Sequence, residues 1–420
     1  MIKKIFTTPL NSNFFSGYYD KTPLSPNGKF ILCLNVVNIN SDFDGFQEAN
    51  VGIFNITDLK KEFKYIISTR AFNWQQGAML KWSKKFDNSF YINSFNEKNN
   101  TYETLLVNID GIILKRYPVF YAISNDEKYG FCIDFERLYW IRPAYSYHCI
   151  RNVSKNIIHD INEKVDIYDL SNNCFLDSPL LLDDVKKLLN NNNRNFFTYI
   201  EHIMPSPDSS SIAFLYREKR PGQIITYLFT YKLSTRKISL ISNSGRLTHY
   251  CWKGNNFIVA WSSFQTVFNK LRNKLNSNIL KKILLNTYKF FIKNNSLVGN
   301  SKISYKITGD SYIIFDLITS ENKRILNKLI NKDGHPSISP INDDLLLVDC
   351  YPDLNNEYSF SIIDLKNELL LEHVKVSSDK SFNNTQFRCD LHPKWSDDGK
   401  FICIDTLING VRGIELFEYN

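Results

Sequence analysis

The sequence predicts an all-β chain folded as a seven-bladed β-propeller. Two observations lead there. A unit made of an apolar approach, a polar turn and a hydrophobic strand occurs seven times, and a second strand follows it each time. Aromatic residues make up 14% of the chain, with Phe 31 and Tyr 23, which suits pleated strands.

In chain order the units are LSPNGKFILCL (24–34), KWSKKFDNSFYI (81–92), ISNDEKYGFCID (123–134) and PSPDSSSIAFLY (205–216), then CWKGNNFIVAW (251–261), ISPINDDLLLVDC (338–350) and WSDDGKFICID (395–405). The second strands run from VGIFNI (51–56) to GIELFEY (413–419). A propeller blade is a four-stranded antiparallel sheet, and the blades pack radially round a channel. Seven units in this length average about 60 residues, above the usual ~40–45.

Two insertions account for much of the excess. Residues 135–200 carry FERLYWIRPAYSYH and LLLDDVKKLLNNNNRN, the latter read as a short helix with a polar loop. Residues 264–300 hold seven Lys or Arg between Lys270 and Lys293 and no acidic residue there. Val267, Leu271, Leu275, Ile279, Ile283, Tyr288 and Ile292 recur near helical spacing. Residues 1–420 therefore read as one propeller domain with a basic amphipathic helical insertion at 264–300. Such a helix suits the propeller's flank with its lysines solvated, the alternative being an anionic membrane surface or a partner. Two β-sandwich domains are the competing architecture, but no linker or composition break divides the chain.

The formal charge of +8 is mild for 420 residues and the bases are spread, which argues against nucleic acid as a partner. The eight cysteines show no CxxC and no tight zinc spacing, so reduced thiols and a cytoplasmic location are expected. The N-terminal MIKKIFTTPLNSNFF lacks an apolar run of signal-peptide length.

Four of the seven histidines share one register. His392 stands three residues before Trp395, His335 three before Ile338, His249 three before Trp252, and His202 takes the same slot in HIMPSP. Equivalent slots of different blades converge at one mouth of the channel. Clustered imidazoles suit metal ligation or proton transfer near neutral pH. Asp390 precedes His392 by two residues, a spacing that shares a face if the segment is a strand. His335, Asp390 and His392 therefore form a candidate ligand set for a divalent cation, Mn2+ or similar, and His249 a fourth member or a base. Asp349 and Cys350 are expected behind them. The first two blades offer Tyr19, Asp20 and Lys21 in GYYDK and Gln75 and Gln76 in NWQQG. Arg137, Arg142, Arg217 and Arg388 stand near blade ends, where a guanidinium can grip a carboxylate with two hydrogen bonds. Tyr145 and Tyr147 are candidates for stacking on a sugar or for core packing.

The motifs GYYDK, NWQQGAML, DFERLYWIRPAYSY, EHIMPSPD, DGHPSISP and RCDLHPKWSDDGKFICID resemble a group of bacterial propellers similar to oligogalacturonate lyase, with the wider TolB and WD40 propellers behind it. The resemblance covers about residues 17–405 and omits the basic insertion. It implies metal-assisted β-elimination at a uronate. It matches Arg217 and His249 to the family's arginine and histidine, His335 and His392 to two metal ligands, and His202 to a histidine that precedes the arginine. Asp390 stands where the lyase has a histidine, Phe387 where it has a glutamine, and Tyr216 where relatives often carry His. The expected activity is thus a lyase acting on an acidic oligosaccharide, with His249, Arg217 and His202 catalytic. Tyr19, Asp20, Gln75, Gln76, Arg137, Arg142, Tyr145 and Arg388 are expected to bind substrate. The alternative is a non-catalytic glycan-binding or scaffolding propeller in surface-polysaccharide assembly at the inner membrane face.

Overall fold

The computed structural model describes residues 2–39, 47–58, 60–158, 163–189, 196–263, 309–325, 329–330, 332–351, 357–379, 382 and 385–420. They form seven antiparallel sheets, each built from strands consecutive in sequence except at the ring's seam. The innermost strands are Asn13–Phe15, Lys81–Trp82, Ala122–Ile123, Phe197–Pro205, Leu247–Lys253, Pro336–Ser339 and Lys394–Trp395, numbered here as blades 1 to 7. The seven-bladed propeller is therefore the fold, with two short α-helices among the described residues, Phe135–Ile141 and Leu182–Leu188. The expected insertion at 264–300 lies outside the described residues.

The seam was not foreseen. Ile2–Thr7 pairs antiparallel with Val411–Tyr419, Ile2 opposite Tyr419, and so supplies the outer strand of blade 7. The first and last strands of the chain thereby close the ring and give blade 7 its fourth strand.

Among the described residues there is no single core. Seven apolar clusters lie one between each pair of neighbouring blades. Between blades 1 and 2, for example, Phe15, Leu32 and Val51 meet Trp82, Phe90 and Ile92. Between blades 7 and 1, Cys403, Ile414 and Leu416 meet Phe14, Ile31 and Phe54. Blades 3 and 4 share the largest cluster, which takes in both helices. Inner-strand tryptophans tie the wedges together. Trp82 donates its indole N–H to Pro23 O at 2.7 Å, Trp252 to Met204 O at 2.9 Å and Trp395 to Ser337 O at 3.3 Å, each on the preceding blade.

At one face of the ring the first two strands of each blade are joined by tight turns. Ser124, Ser206 and Ser396 donate to Asp126, Asp208 and Asp398, and Ser25 to Asn27. The opposite face receives the connections between second and third strands. The connection of blade 3 carries helix Phe135–Ile141, capped by Asp134, and runs on through Arg142 to Tyr145.

Candidate active site

Each innermost strand begins at that second face, so the shared slot brings the four histidines together. Ring centroids are 4.1 Å apart for His249 and His335, 4.4 Å for His335 and His392, and 6.4 Å for His202 and His249. All four side chains are buried. Blade 1 closes the floor. Its Gly17-Tyr18-Tyr19 turn reaches across the axis, where Tyr18 meets His202, His335 and His392 and Tyr19 meets His249 and His335. Gly17 has φ +92°, and a Cβ there would sit 2.8 Å from Gln76 O, so only glycine lets the turn approach blade 2 this closely.

Two histidines sit on forced backbone. His202 has φ +55° and His392 φ +43°, the left-handed region that non-glycine residues seldom enter. His202 occupies a β-bulge, where pairing with the next strand breaks between Glu201 and Met204. Its N–H donates to Tyr121 Oη at 2.9 Å and its carbonyl accepts from the Tyr250 hydroxyl, so blades 3 and 5 hold the bulge from both sides. The segment carrying Asp390 and His392 is not a strand, contrary to expectation; the strand starts at Lys394. The two side chains nonetheless meet, through the turn at His392.

Two imidazoles are oriented by carboxylates. His335 Nδ1 lies 3.0 Å from Asp349 Oδ2, and His249 Nδ1 lies 3.2 Å from Asp333 Oδ1. Both rings therefore turn Nε2 toward the axis, as metal-binding or base histidines do. Gly334 makes this possible. Its missing Cβ would lie 1.8 Å from Asp349 O, and Asp349 Oδ1 takes the His335 N–H at 2.5 Å. Burial pushes His249 below the usual imidazole range, and the neighbouring His335 adds to it. Burial acts the same way on His335, but the charge and hydrogen bond of Asp349, with Asp390 and Asp333 behind it, together turn the net direction upward. His202 and His392 are pushed well down, chiefly by burial.

His335, Asp390 and His392 each offer one atom, and these atoms lie within 4.8 Å of one another. Asp390 Oδ1 and His392 Nε2 are buried without a hydrogen-bond partner among the described residues. Buried polar groups are rarely left unpaired, so two orphan donors of electron pairs at one point fit a cation. Asp390 Oδ2 is taken by Arg388, at 2.9 Å from Nε and 2.6 Å from Nη2.

Three arginines stand near the cluster, each beside a carboxylate. Arg217, on the second strand of blade 4, puts Nη1 2.7 Å from Glu201 Oε1. Arg142 reaches the same oxygen at 3.8 Å and lies over the Tyr145 ring at 4.2 Å. Arg388 lies over Tyr351 at 5.8 Å. Arg142 and Arg388 are partly exposed, which places them on the solvent side of the buried histidines.

Other predicted residues are held by bonds within the protein, although Asp20 Oδ1, Gln75 Oε1 and Gln76 Oε1 are buried without a hydrogen-bond partner among the described residues. The Arg137 guanidinium is buried and bound to Glu163 at 2.8 Å, Ile157 O at 2.6 Å and Thr198 O at 3.1 Å, bracing the blade 3 insertion. Gln75 Nε2 donates to Arg388 O at 2.7 Å and Gln76 Nε2 to Tyr121 Oη at 2.9 Å. Asp20 pairs with Lys21 at 2.6 Å, and Tyr19 Oη donates to Tyr250 O at 2.8 Å. Tyr147 is packed core, its hydroxyl accepting from Asn93 at 2.8 Å. Sequence reasoning missed Tyr18, Glu201, Asp333 and Tyr351. Tyr18 and Glu201 adjoin residues it singled out, and Asp333 lies two before His335, but which neighbour faces the axis depends on bulges and turns.

Neither a protein-family model nor a curated sequence matches this chain. Solved structures do resemble it. Oligogalacturonate lyase from Vibrio parahaemolyticus is 13% identical, with TM-score 0.60, and the match covers 100% of this chain and 93% of that one. An oligogalacturonate lyase in complex with manganese gives the same figures. The propeller domain of the trilobed protease from Pyrococcus furiosus, described as having an open velcro topology, is 9% identical with TM-score 0.50, covering 97% and 94%. These likenesses establish the fold.

Proposed function

We propose that the protein performs metal-assisted β-elimination on a uronate-containing oligosaccharide. One observation carries the reading: His335, Asp390 and His392 converge at one buried point with His249 against His335, and Arg217 is joined to the histidines through Glu201, 3.6 Å from His202 Nδ1. The likeness to a fold that in another protein is an oligogalacturonate lyase bound to manganese supports it.

Elimination needs the uronate carboxylate neutralised, the C5 proton removed and the departing O4 protonated. A divalent cation held by His335, Asp390 and His392 would supply charge that acidifies the C5 proton. Arg217, with Arg142 beside it, binds and orients the carboxylate. His249 takes the C5 proton at Nε2, its Nδ1 held by Asp333, and its lowered affinity for protons keeps it neutral and ready at pH 7. The proton that His249 has taken returns to the departing oxygen, with His202, bonded through Nε2 to the Tyr18 hydroxyl and itself disfavouring a proton of its own, as the relay. Tyr145 and Tyr351 offer rings on which a sugar can stack.

The test is a panel of acidic oligosaccharides with Mn2+, followed by the ultraviolet absorbance of the new C4–C5 double bond. Product that appears with wild type and vanishes in His249→Ala and Arg217→Ala supports the reading. A panel left untouched by metal-loaded protein overturns it.

A second reading rests on the seven bases and absent acids at 270–293. The strands flanking that stretch, Phe257–Ser263 and Asp310–Asp316, end at the histidine face, where Arg246 pairs with Asp310 at 2.8 Å. The reading is a scaffolding propeller held on an anionic membrane surface. No described helix is long and apolar enough to cross a membrane. Vesicle binding lost on deleting 265–300 supports this reading; no binding by the intact chain overturns it.

A further inference from the structure

Glu201 is fully buried and stands directly before the bulge at His202. A lone carboxylate is costly in such a place, and this one has two guanidiniums at a single oxygen. Arg217 arrives from the neighbouring strand of the same blade, and its Nη2 also donates to Thr248 O of blade 5 at 3.4 Å. Arg142 arrives from the blade 3 insertion, with its other face on Tyr145. Without Glu201, two like charges from different blades would repel each other. With it they converge, and the trio keeps one net positive charge. Arg217 Nε is buried and has no hydrogen-bond partner among the described residues, so one edge of the fork is uncommitted there. Glu201 Oε1 also lies 3.6 Å from His202 Nδ1, which links the trio to the histidines.

We propose that Glu201 is a positioning residue that gathers Arg142 and Arg217 into one seat for the carboxylate of the ligand. This deepens the uronate reading above and rests on it. The sign of one effect makes the proposal testable. Removing a buried negative charge beside an anion site strengthens anion binding if charge alone matters. Removing the residue that assembles the site weakens it.

The experiment is calorimetric titration of the full-length, Mn2+-loaded protein with D-galacturonate, with neutral D-galactose as control. Glu201→Gln is expected to bind galacturonate at least tenfold more weakly than wild type. Equal or tighter binding overturns the proposal. If Glu201→Gln does not fold, Arg142→Ala, at a partly exposed position, is expected to show the same loss, and wild-type affinity there overturns it. If wild type itself binds no galacturonate, the uronate reading fails on its own. The positioning role is then decided by a crystal structure of Glu201→Gln, in which separated guanidiniums support it and unmoved ones overturn it.

Discussion

The rings of His249 and His335 lie 4.1 Å apart, yet each turns its Nδ1 outward onto a carboxylate of its own, Asp333 and Asp349. Neither carboxylate serves both. The pair is therefore two differently prepared imidazoles, one with its proton affinity lowered and one with it raised.

Metal content is the first expected outcome. Protein purified without chelator or tag should carry one divalent ion by elemental analysis. His335→Ala and His392→Ala should lose it, and Asp349→Asn should bind it about 10–100-fold more weakly, as expected when an orienting carboxylate is removed. Full metal content in both alanine variants would exclude the site.

Gly334→Ala tests how tightly the site is built. The added Cβ meets a backbone oxygen, not a flexible side chain, so the Asp349 strand must shift. A loss of about 2–4 kcal/mol in denaturant unfolding is expected, together with weaker metal binding.

Deleting residues 1–7 removes the outer strand of blade 7 and leaves Val411–Tyr419 as an open edge. Phe6 would also leave the cluster between blades 7 and 1. A lower thermal midpoint and concentration-dependent association in sedimentation are expected. An unchanged melt would show that the seam contributes little.

Acid should weaken the turn face. Burial pulls the carboxyls of Asp126 and Asp208 upward, but hydrogen bonds from serine and backbone N–H groups outweigh it and hold both below the usual range. A depressed folded value means that the unfolded chain binds more protons in that interval. The stabilisation is complete above the ordinary carboxylate value of about 4 and is lost as pH falls through the folded values. Thermal melts in that acid range should show a shallower decline for the Asp126→Asn/Asp208→Asn double variant than for wild type.

The fold was legible because each blade repeats one hydrophobic rhythm, and a rhythm survives in sequence. The inner-strand slot was legible too: His202, His249, His335 and His392 do converge. The closing strand Ile2–Thr7 was not, since it pairs with residues more than four hundred positions away and has no partner segment beside it to mark its place. Arg137 and Arg142 look alike in sequence, five residues apart. One is consumed by Glu163 and backbone carbonyls while the other reaches the site, and only the direction of a short helix separates them. Glu201 was hidden for a similar reason, because a bulge sets the side chain that follows it.

His202 and His392 carry one more consequence. Both hold left-handed backbone that glycine adopts without strain, at a cost to other residues of about 1–3 kcal/mol. Glycine at either place would relieve that strain while removing an imidazole. Selection for sturdiness alone would erase these side chains, so a library screened only for heat resistance should drift toward molecules that keep the ring and lose its chemistry.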